Sequence, residues 1–164
     1  MSLTRANMRG VLEKMIQFTD DWSHRRLTED PPLHKFIIRH PVSWAKEFRT
    51  VKFGLGRGAG HTTAVAWYAN HNLKKVHHIV FSKDQLAGLE DPPENLTIST
   101  QHEYRVRGKS WADVNVVFVD CVTQFSEKSL DRIYHAYAGR SPGARLLGHW
   151  VENTGDTPLF ILLE

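Results

Sequence analysis

A glycine-rich turn between a strand pattern and a helix pattern constrains this chain more than any other feature. Val51 and Phe53 predict a strand, and residues 64–69 (AVAWYA) continue as a helix. Between them lie Gly56, Arg57, Gly58, Ala59, Gly60, His61, Thr62 and Thr63. The N–H groups of such a turn, together with the N-terminus of the following helix, form a cradle that favours negative charge. The segment therefore predicts a phosphate-binding loop.

A buried strand ending in a carboxylate is the second informative feature. Residues 114–120 (VNVVFVD) are an almost uninterrupted apolar run that ends at Asp120. Such runs are typical of central parallel strands buried on both faces. Because ligands of open α/β sheets bind at the carboxyl ends of the strands, Asp120 is expected to face the same ligand as the glycine-rich turn.

The glycine-rich segment resembles the phosphate-binding loop (Walker A) of P-loop NTPases, whose usual form is G-x-x-x-x-G-K-[ST]. Thr62 matches the last position, whereas Leu55 replaces the first glycine and His61 replaces the lysine. A histidine is shorter than lysine and is only partly charged at neutral pH. The loop is also similar to that of some large terminase subunits, which carry the basic residue early, and this similarity implies that Arg57 stands in for the lysine.

The resemblance also implies roles for individual residues. It implies that Thr62 and Asp120 hold Mg²⁺, that amides between Gly58 and Thr62 hold a phosphate, and that His61 is an auxiliary cation. The glutamate that usually follows the aspartate (Walker B) and activates water is Cys121 here. Three residues are candidates to replace that glutamate in space: Gln124, Glu127 and Asp131. Arg57 and Asp120 are the catalytic candidates.

The chain as a whole is expected to form one α/β domain. Its 164 residues suit a single core, and 41% hydrophobic and 24% charged residues are ordinary for a globular protein. Residues 1–48 are predicted to be a helical segment of the same domain and residues 49–164 its P-loop core. A single cysteine and no evident signal peptide favour a reducing, cytoplasmic setting without a membrane span.

The alternation of strand and helix patterns predicts a mostly parallel sheet with helices on both faces, similar to the RecA-like, additional-strand core. Helices are predicted at about 4–25, 41–48, 62–72, 83–89 and 127–138, and strands at 51–54, 78–82, 96–100, 104–106, 114–120, 145–150 and 159–163. By order along the chain, the strand at 145–150 corresponds to the one that ends in a γ-phosphate sensor in that family, and the candidates for that sensor are His149, within the strand, and Asn153, after it.

Two further groups have alternative interpretations. Arg105, Arg107, Lys109 and Trp111 combine cations with an aromatic residue, as in sites for single-stranded nucleic acid, but an exposed turn is an equally good interpretation. The histidines His71, His77 and His78 raise the possibility of zinc, but no cysteine pair or acidic residue has metal-site spacing, so a solvated turn before the second strand is expected.

The sequence thus predicts a protein that binds ATP or another NTP with Mg²⁺, with slow or partner-dependent hydrolysis. The alternative is a catalytically degenerate P-loop protein that serves as a regulatory module binding nucleic acid or a partner ATPase. A net charge of +3 and a pI near 9.1 are compatible with either function. An oligomer in which a neighbouring subunit completes the site is also compatible with the resemblance.

Overall fold

The structure, a computed structural model, describes residues 5–30, 39–54, 60–86, 88–102, 114–138 and 157–164. Within these ranges four α-helices are present: α1 (Arg5–Glu29), α2 (Pro41–Phe48), α3 (His61–His71) and α4 (Glu127–Ala138). Five strands accompany them: β1 (Thr50–Phe53), β2 (Val76–Val80), β3 (Leu96–Thr100), β4 (Val116–Val119) and β5 (Leu159–Leu163). Short 3₁₀ turns follow β2 (Lys83–Leu86) and β4 (Val122–Gln124).

All five strands form one parallel sheet in the order β1-β5-β4-β2-β3. The expected α/β class with a mostly parallel sheet is therefore confirmed. The last strand along the chain, β5, lies between β1 and β4, so the strand that precedes the glycine-rich turn is separated from the strand that ends at Asp120. Because all strands are parallel, their carboxyl ends share one edge of the sheet.

Helices cover both faces of the sheet, as expected. On one face, side chains of α1 and α3, including Leu12 and Tyr68, pack with Phe118 of β4. On the other face, side chains of α2 and α4, including Ala45 and Ile133, pack with Val117 and Val119 of β4 and their neighbours. Burial of the central strands on both sides explains the continuous apolar sequences of β4 and β5.

The side chains of β4 alternate between the two faces of the sheet, and this alternation shows on which face Asp120 lies. Phe118 packs on the α1/α3 side, whereas Val117 and Val119 pack on the α2/α4 side. Because successive side chains of a strand point to opposite faces, the next residue, Asp120, belongs on the side of α3. The carboxylate thus reaches the helix that follows the glycine-rich turn.

A buried arginine ties α1 to the sheet. Arg49, immediately before β1, is 3% exposed and donates to Asp20 Oδ1 at 2.6 Å and to Ser23 Oγ at 2.7 Å in α1. Its other nitrogens donate to the carbonyl oxygen of Thr157, close to the start of β5. Burial alone would raise the pKa of Asp20, but the charge and hydrogen bond of Arg49, together with the charges of Lys74 and His24, outweigh it and lower that pKa.

Several predicted boundaries are confirmed, α1 extends four residues beyond its predicted end at about 25, and three other elements need correction. Strands 96–100 and 159–163 and helices 41–48 and 127–138 have the predicted bounds. The second strand, predicted at 78–82, is Val76–Val80 in the structure and so includes His77 as well as His78. The helix expected at 83–89 is only a 3₁₀ turn, and regular pairing in β4 is confined to Val116–Val119. The strands predicted at 104–106 and 145–150 lie outside the described residues.

Candidate functional site

The N-terminus of α3 lies at the carboxyl edge of the sheet. Gly60 precedes the helix with φ 81° and ψ 39°, a left-handed conformation that favours glycine, and its carbonyl oxygen accepts the N–H of Ala64 at 2.9 Å. No side chain caps this helix end among the described residues. The first-turn N–H groups of a helix have no partner within the helix, so this end is suited to an anion.

Asp120 lies against the first residue of α3. Its Oδ1 is 3.0 Å from Nδ1 of His61, and its Oδ2 is 3.2 Å from Nε2 of His78 on the neighbouring strand β2. Asp120 is 3% exposed and His78 is fully buried. Since an ionised carboxylate only accepts hydrogen bonds, both imidazoles donate to it, which assigns the protons to Nδ1 of His61 and Nε2 of His78.

The two imidazoles keep Asp120 ionised. Burial alone would raise the pKa of this carboxyl group, but hydrogen bonds from His61 and His78 and their charges lower it far below the ordinary value. The second ring nitrogens, Nε2 of His61 and Nδ1 of His78, are buried without a hydrogen-bond partner in the described part of the chain. The cluster is therefore an ionised carboxylate at the edge of the sheet, held by hydrogen bonds from two imidazole rings.

Thr62, the second residue of α3, is held by a residue that follows β2. Its hydroxyl donates to the carbonyl oxygen of Gln85 at 3.1 Å. The side chain of Gln85 accepts the N–H groups of Phe81 at 2.6 Å and Ser82 at 3.2 Å through Oε1, and its Nε2 donates to Cys121 Sγ at 2.7 Å. Gln85 thus connects α3 with the ends of both β2 and β4.

The oxygen atoms of Thr62 and Asp120 are compatible with a hard cation. The Asp120 carboxylate has about four lone-pair positions and the two histidines use two of them, while a threonine hydroxyl that donates its proton keeps both lone pairs. No group of three His, Cys, Asp or Glu side chains within the described ranges could hold a metal ion. Mg²⁺ commonly takes one or two protein oxygens and completes its shell with water and phosphate, so these residues fit Mg²⁺ that arrives with a nucleotide.

The three candidates to replace the missing glutamate, Gln124, Glu127 and Asp131, have no described contact with Asp120. Asp131 forms an ion pair with Lys46 of α2, and both line a cavity of about 680 Å³ between α2 and α4 together with Glu127. Gln124 is exposed in the 3₁₀ turn after β4. No described contact brings any of the three to Asp120.

Several predicted site residues lie outside the described residues: Gly56, Arg57, Gly58, Ala59, Arg105, Arg107, Lys109, Trp111, His149 and Asn153. Of the described loop residues, Gly60, His61 and Thr62 are half-buried and Thr63 is exposed. The structure thus brings His61 to Asp120, while the described contact of Thr62 is with Gln85 rather than with Asp120.

The prediction that His77 and His78 belong to a solvated turn is wrong. Both are fully buried in β2, where alternation sends His78 to Asp120 and His77 to the opposite face. There His77 contacts the hydroxyls of Ser99 and Tyr137. Of these three histidines, His71 alone lies exposed, in the last turn of α3.

Sequence reasoning missed His78 and Gln85 as neighbours of the site. The signal for His78 was its position in a run followed directly by Ile79 and Val80, which indicates a buried strand. A polar residue in such a strand needs a buried partner, and the end of the aspartate strand could supply one. Gln85 carried no comparable signal, because its contacts depend on how the turn after β2 folds back.

Comparison with known proteins found no matching family model, no matching curated protein and no matching solved structure. Among the described residues, no helix has the length and apolar character that crossing a bilayer would require. Interpretation of the site therefore rests on its own geometry and chemistry.

Proposed function

We propose that this chain is a P-loop nucleotide-binding protein that holds the phosphates of ATP or another NTP at the N-terminus of α3, with Mg²⁺ beside Asp120. One observation carries the proposal: the carboxylate at the end of β4 lies 3.0 Å from the first residue of the helix that follows the glycine-rich turn. A buried carboxylate beside an uncapped helix N-terminus combines an anion site with an oxygen ligand for a cation. The insertion of β5 between β1 and β4 agrees with the additional-strand resemblance.

Each residue then has a defined part in binding. The amides at the start of α3 and the charge of Arg57 bind phosphate oxygens, and the oxygen atoms of Thr62 and Asp120 face the cation. His78 donates to Asp120 from the neighbouring strand β2, and His61 donates to it from the start of α3, where the phosphates would bind. Bound Mg²⁺ would neutralise part of the phosphate charge.

We expect the site to bind nucleotide but to hydrolyse it slowly. Phosphoryl transfer depends on positioning and on stabilising charge, and here the lysine and the adjacent glutamate are replaced by His61 and Cys121. Glu127 and Asp131 line the cavity between α2 and α4 and have no described contact with Asp120. Slow or partner-dependent hydrolysis follows. The single cysteine further suggests a reducing, cytoplasmic setting.

The test is titration of a fluorescent ATP analogue with Mg²⁺ into the wild-type chain and two variants, Arg57→Ala and Thr62→Ala. Each variant is expected to weaken binding about tenfold or more, equivalent to about 1.4 kcal/mol. Arg132→Ala on α4 and Thr123→Ala after β4 are matched controls at exposed positions, and both should bind as the wild type does. Affinity unchanged in both test variants would remove the proposed site.

A further inference from the structure

Gln85 takes part in four hydrogen bonds that involve a side chain around the candidate site, whereas the side chain of Asp120 makes two among the described residues. Its carbonyl oxygen accepts the hydroxyl proton of Thr62, its Oε1 accepts two backbone N–H groups at the end of β2, and its Nε2 reaches Cys121 Sγ. Cys121 directly follows Asp120. One residue therefore links the helix that begins at His61 with the ends of β2 and β4, the two strands that position His78 and Asp120.

The direction of the Thr62 hydrogen bond has a chemical consequence. A hydroxyl group has one proton and two lone pairs, and the proton of Thr62 is used by the Gln85 carbonyl oxygen at 3.1 Å. This contact fixes the rotation of the hydroxyl group, so that its lone pairs, rather than its proton, are directed away from Gln85. A cation requires that orientation of a hydroxyl ligand.

The side chain of Gln85 holds its own carbonyl in place. The turn Lys83–Leu86 is a single 3₁₀ turn with no buried residue, so apolar packing does little to fix it. The amide oxygen of Gln85, bonded to Phe81 and Ser82 N–H, closes this turn onto the end of β2 instead. Because Oε1 is already used twice, Gln85 is poorly suited to activate water, and positioning is the role that its contacts support.

We propose that Gln85 is a positioning residue for Mg²⁺: it holds the turn whose carbonyl oxygen orients the Thr62 hydroxyl, and so raises the affinity for the cation without touching the nucleotide. This inference rests on the proposed function. Residues that orient a metal ligand typically change metal affinity by about 10–100-fold when they are replaced. Gln85 should affect only the affinity for Mg²⁺, because its described contact with α3 is with the Thr62 hydroxyl and not with a backbone N–H group that would bind phosphate.

The experiment measures fluorescent ATP-analogue binding in EDTA and then the Mg²⁺ concentration that gives half of the metal-dependent increase. Gln85→Ala is expected to need about 10–100-fold more Mg²⁺ while its binding in EDTA equals that of the wild type. Gln85→Glu keeps an acceptor for Phe81 and Ser82 N–H and should respond to Mg²⁺ almost as the wild type does. Gln17→Ala, at an exposed position of α1, is the matched control.

The outcomes separate this inference from the proposed function. A wild-type chain that binds no analogue overturns the nucleotide site and the role of Gln85 with it. If wild type and Gln85→Ala need the same Mg²⁺ concentration, the role of Gln85 alone is overturned. The same holds if Gln85→Ala weakens the affinity for the analogue equally with and without Mg²⁺. Thermal unfolding checks that each variant is folded, and Gln85→Met, which keeps the length but not the amide, replaces Gln85→Ala if that variant is unfolded.

Discussion

Replacing Asp120 by asparagine tests whether a buried charge is held between two imidazoles. Asparagine has nearly the same shape, so the variant removes the charge with little change in packing, and the imidazole that faces the new amide NH2 must accept a hydrogen bond instead of donating one. In the wild type, His61 and His78 donate to an ionised acceptor at 3.0 and 3.2 Å. Two such bonds contribute about 1.5–3 kcal/mol each, whereas two neutral bonds contribute about 1 kcal/mol each. The variant should therefore lose about 2 kcal/mol of unfolding free energy at pH 7.

The difference in unfolding free energy between wild type and Asp120→Asn should decrease as the pH falls. The pKa of Asp120 is lowered by folding, so the unfolded chain takes up the proton first as the pH falls. The stabilisation by the carboxylate is thus complete above its ordinary pKa of 3.8 and is lost as the pH falls through that value toward the folded-state pKa. Asparagine has no such titration, so the gap between wild type and variant should narrow below about pH 4.

Urea unfolding at pH 7 and at a series of lower pH values measures the gap, and thermal unfolding at pH 7 should show a midpoint lower by about 4–8 °C for a chain of 164 residues. Asp84→Asn makes the same chemical change at an exposed position near the same edge, and it should alter stability by less than about 0.5 kcal/mol. Equal stability of Asp120→Asn and wild type at pH 7 would refute the reasoning. A gap of the same size at pH 3 would refute it as well.

Three further changes test the packing that positions the site. Arg49→Met should lower the unfolding free energy by about 3 kcal/mol, because it removes the buried cation that pairs with Asp20 and leaves that carboxylate only the more distant Lys74 and His24; a loss below about 1 kcal/mol in urea unfolding would contradict this anchor. Tyr137→Phe should cost about 1–3 kcal/mol in the same assay, because its hydroxyl contacts the buried ring of His77, and no change would show that this contact contributes nothing. Phe118→Ala should cost about 3–5 kcal/mol by opening a cavity under α3, while Leu73→Ala, at a fully exposed position, should stay within about 0.5 kcal/mol; similar losses in both would be inconsistent with the described core.

The sequence was sufficient for the fold class because the central strands are buried on both faces. The run Leu159–Leu163 contains no polar residue, and the predicted strand has the observed bounds. The helix Glu127–Ala138 was equally predictable from its apolar spacing and the glycine that follows it at position 139. Such elements depend mainly on local pattern, so neighbours along the chain are sufficient to recognise them.

The start of β2 lies two residues before the predicted start at His78 because His77, like His78, looks polar in isolation. Each is satisfied by a partner that is distant in sequence: Ser99 and Tyr137 for His77, and Asp120 for His78. The parallel register of β2 with β4, which pairs His78 with Phe118, brings the imidazole within reach of the carboxylate. A pattern of residues contains no information about that register until the strand order is known.

For the site, the position of Asp120 was predictable and its surroundings were not. The carboxylate lies directly after the regular part of β4 and beside the start of α3, as the strand and turn patterns suggested. The contact of Thr62 with Gln85 was not foreseen, because the segment Lys83–Leu89 was expected to be a helix rather than a turn that folds back on the strand ends. Whether Thr62 and Asp120 share a cation remains a prediction for the binding experiments.

The most direct test of the central claim is a ¹H–¹⁵N NMR titration of the wild-type chain with ATP and Mg²⁺. If the phosphates bind at the N-terminus of α3, the largest shifts should fall on the backbone amides of Gly60, His61, Thr62 and Thr63, because these N–H groups would donate to phosphate oxygens. Amides of α4 around Tyr134, beside the separate cavity, should shift little. Saturable shifts centred on α4, or none at millimolar nucleotide, would contradict the account.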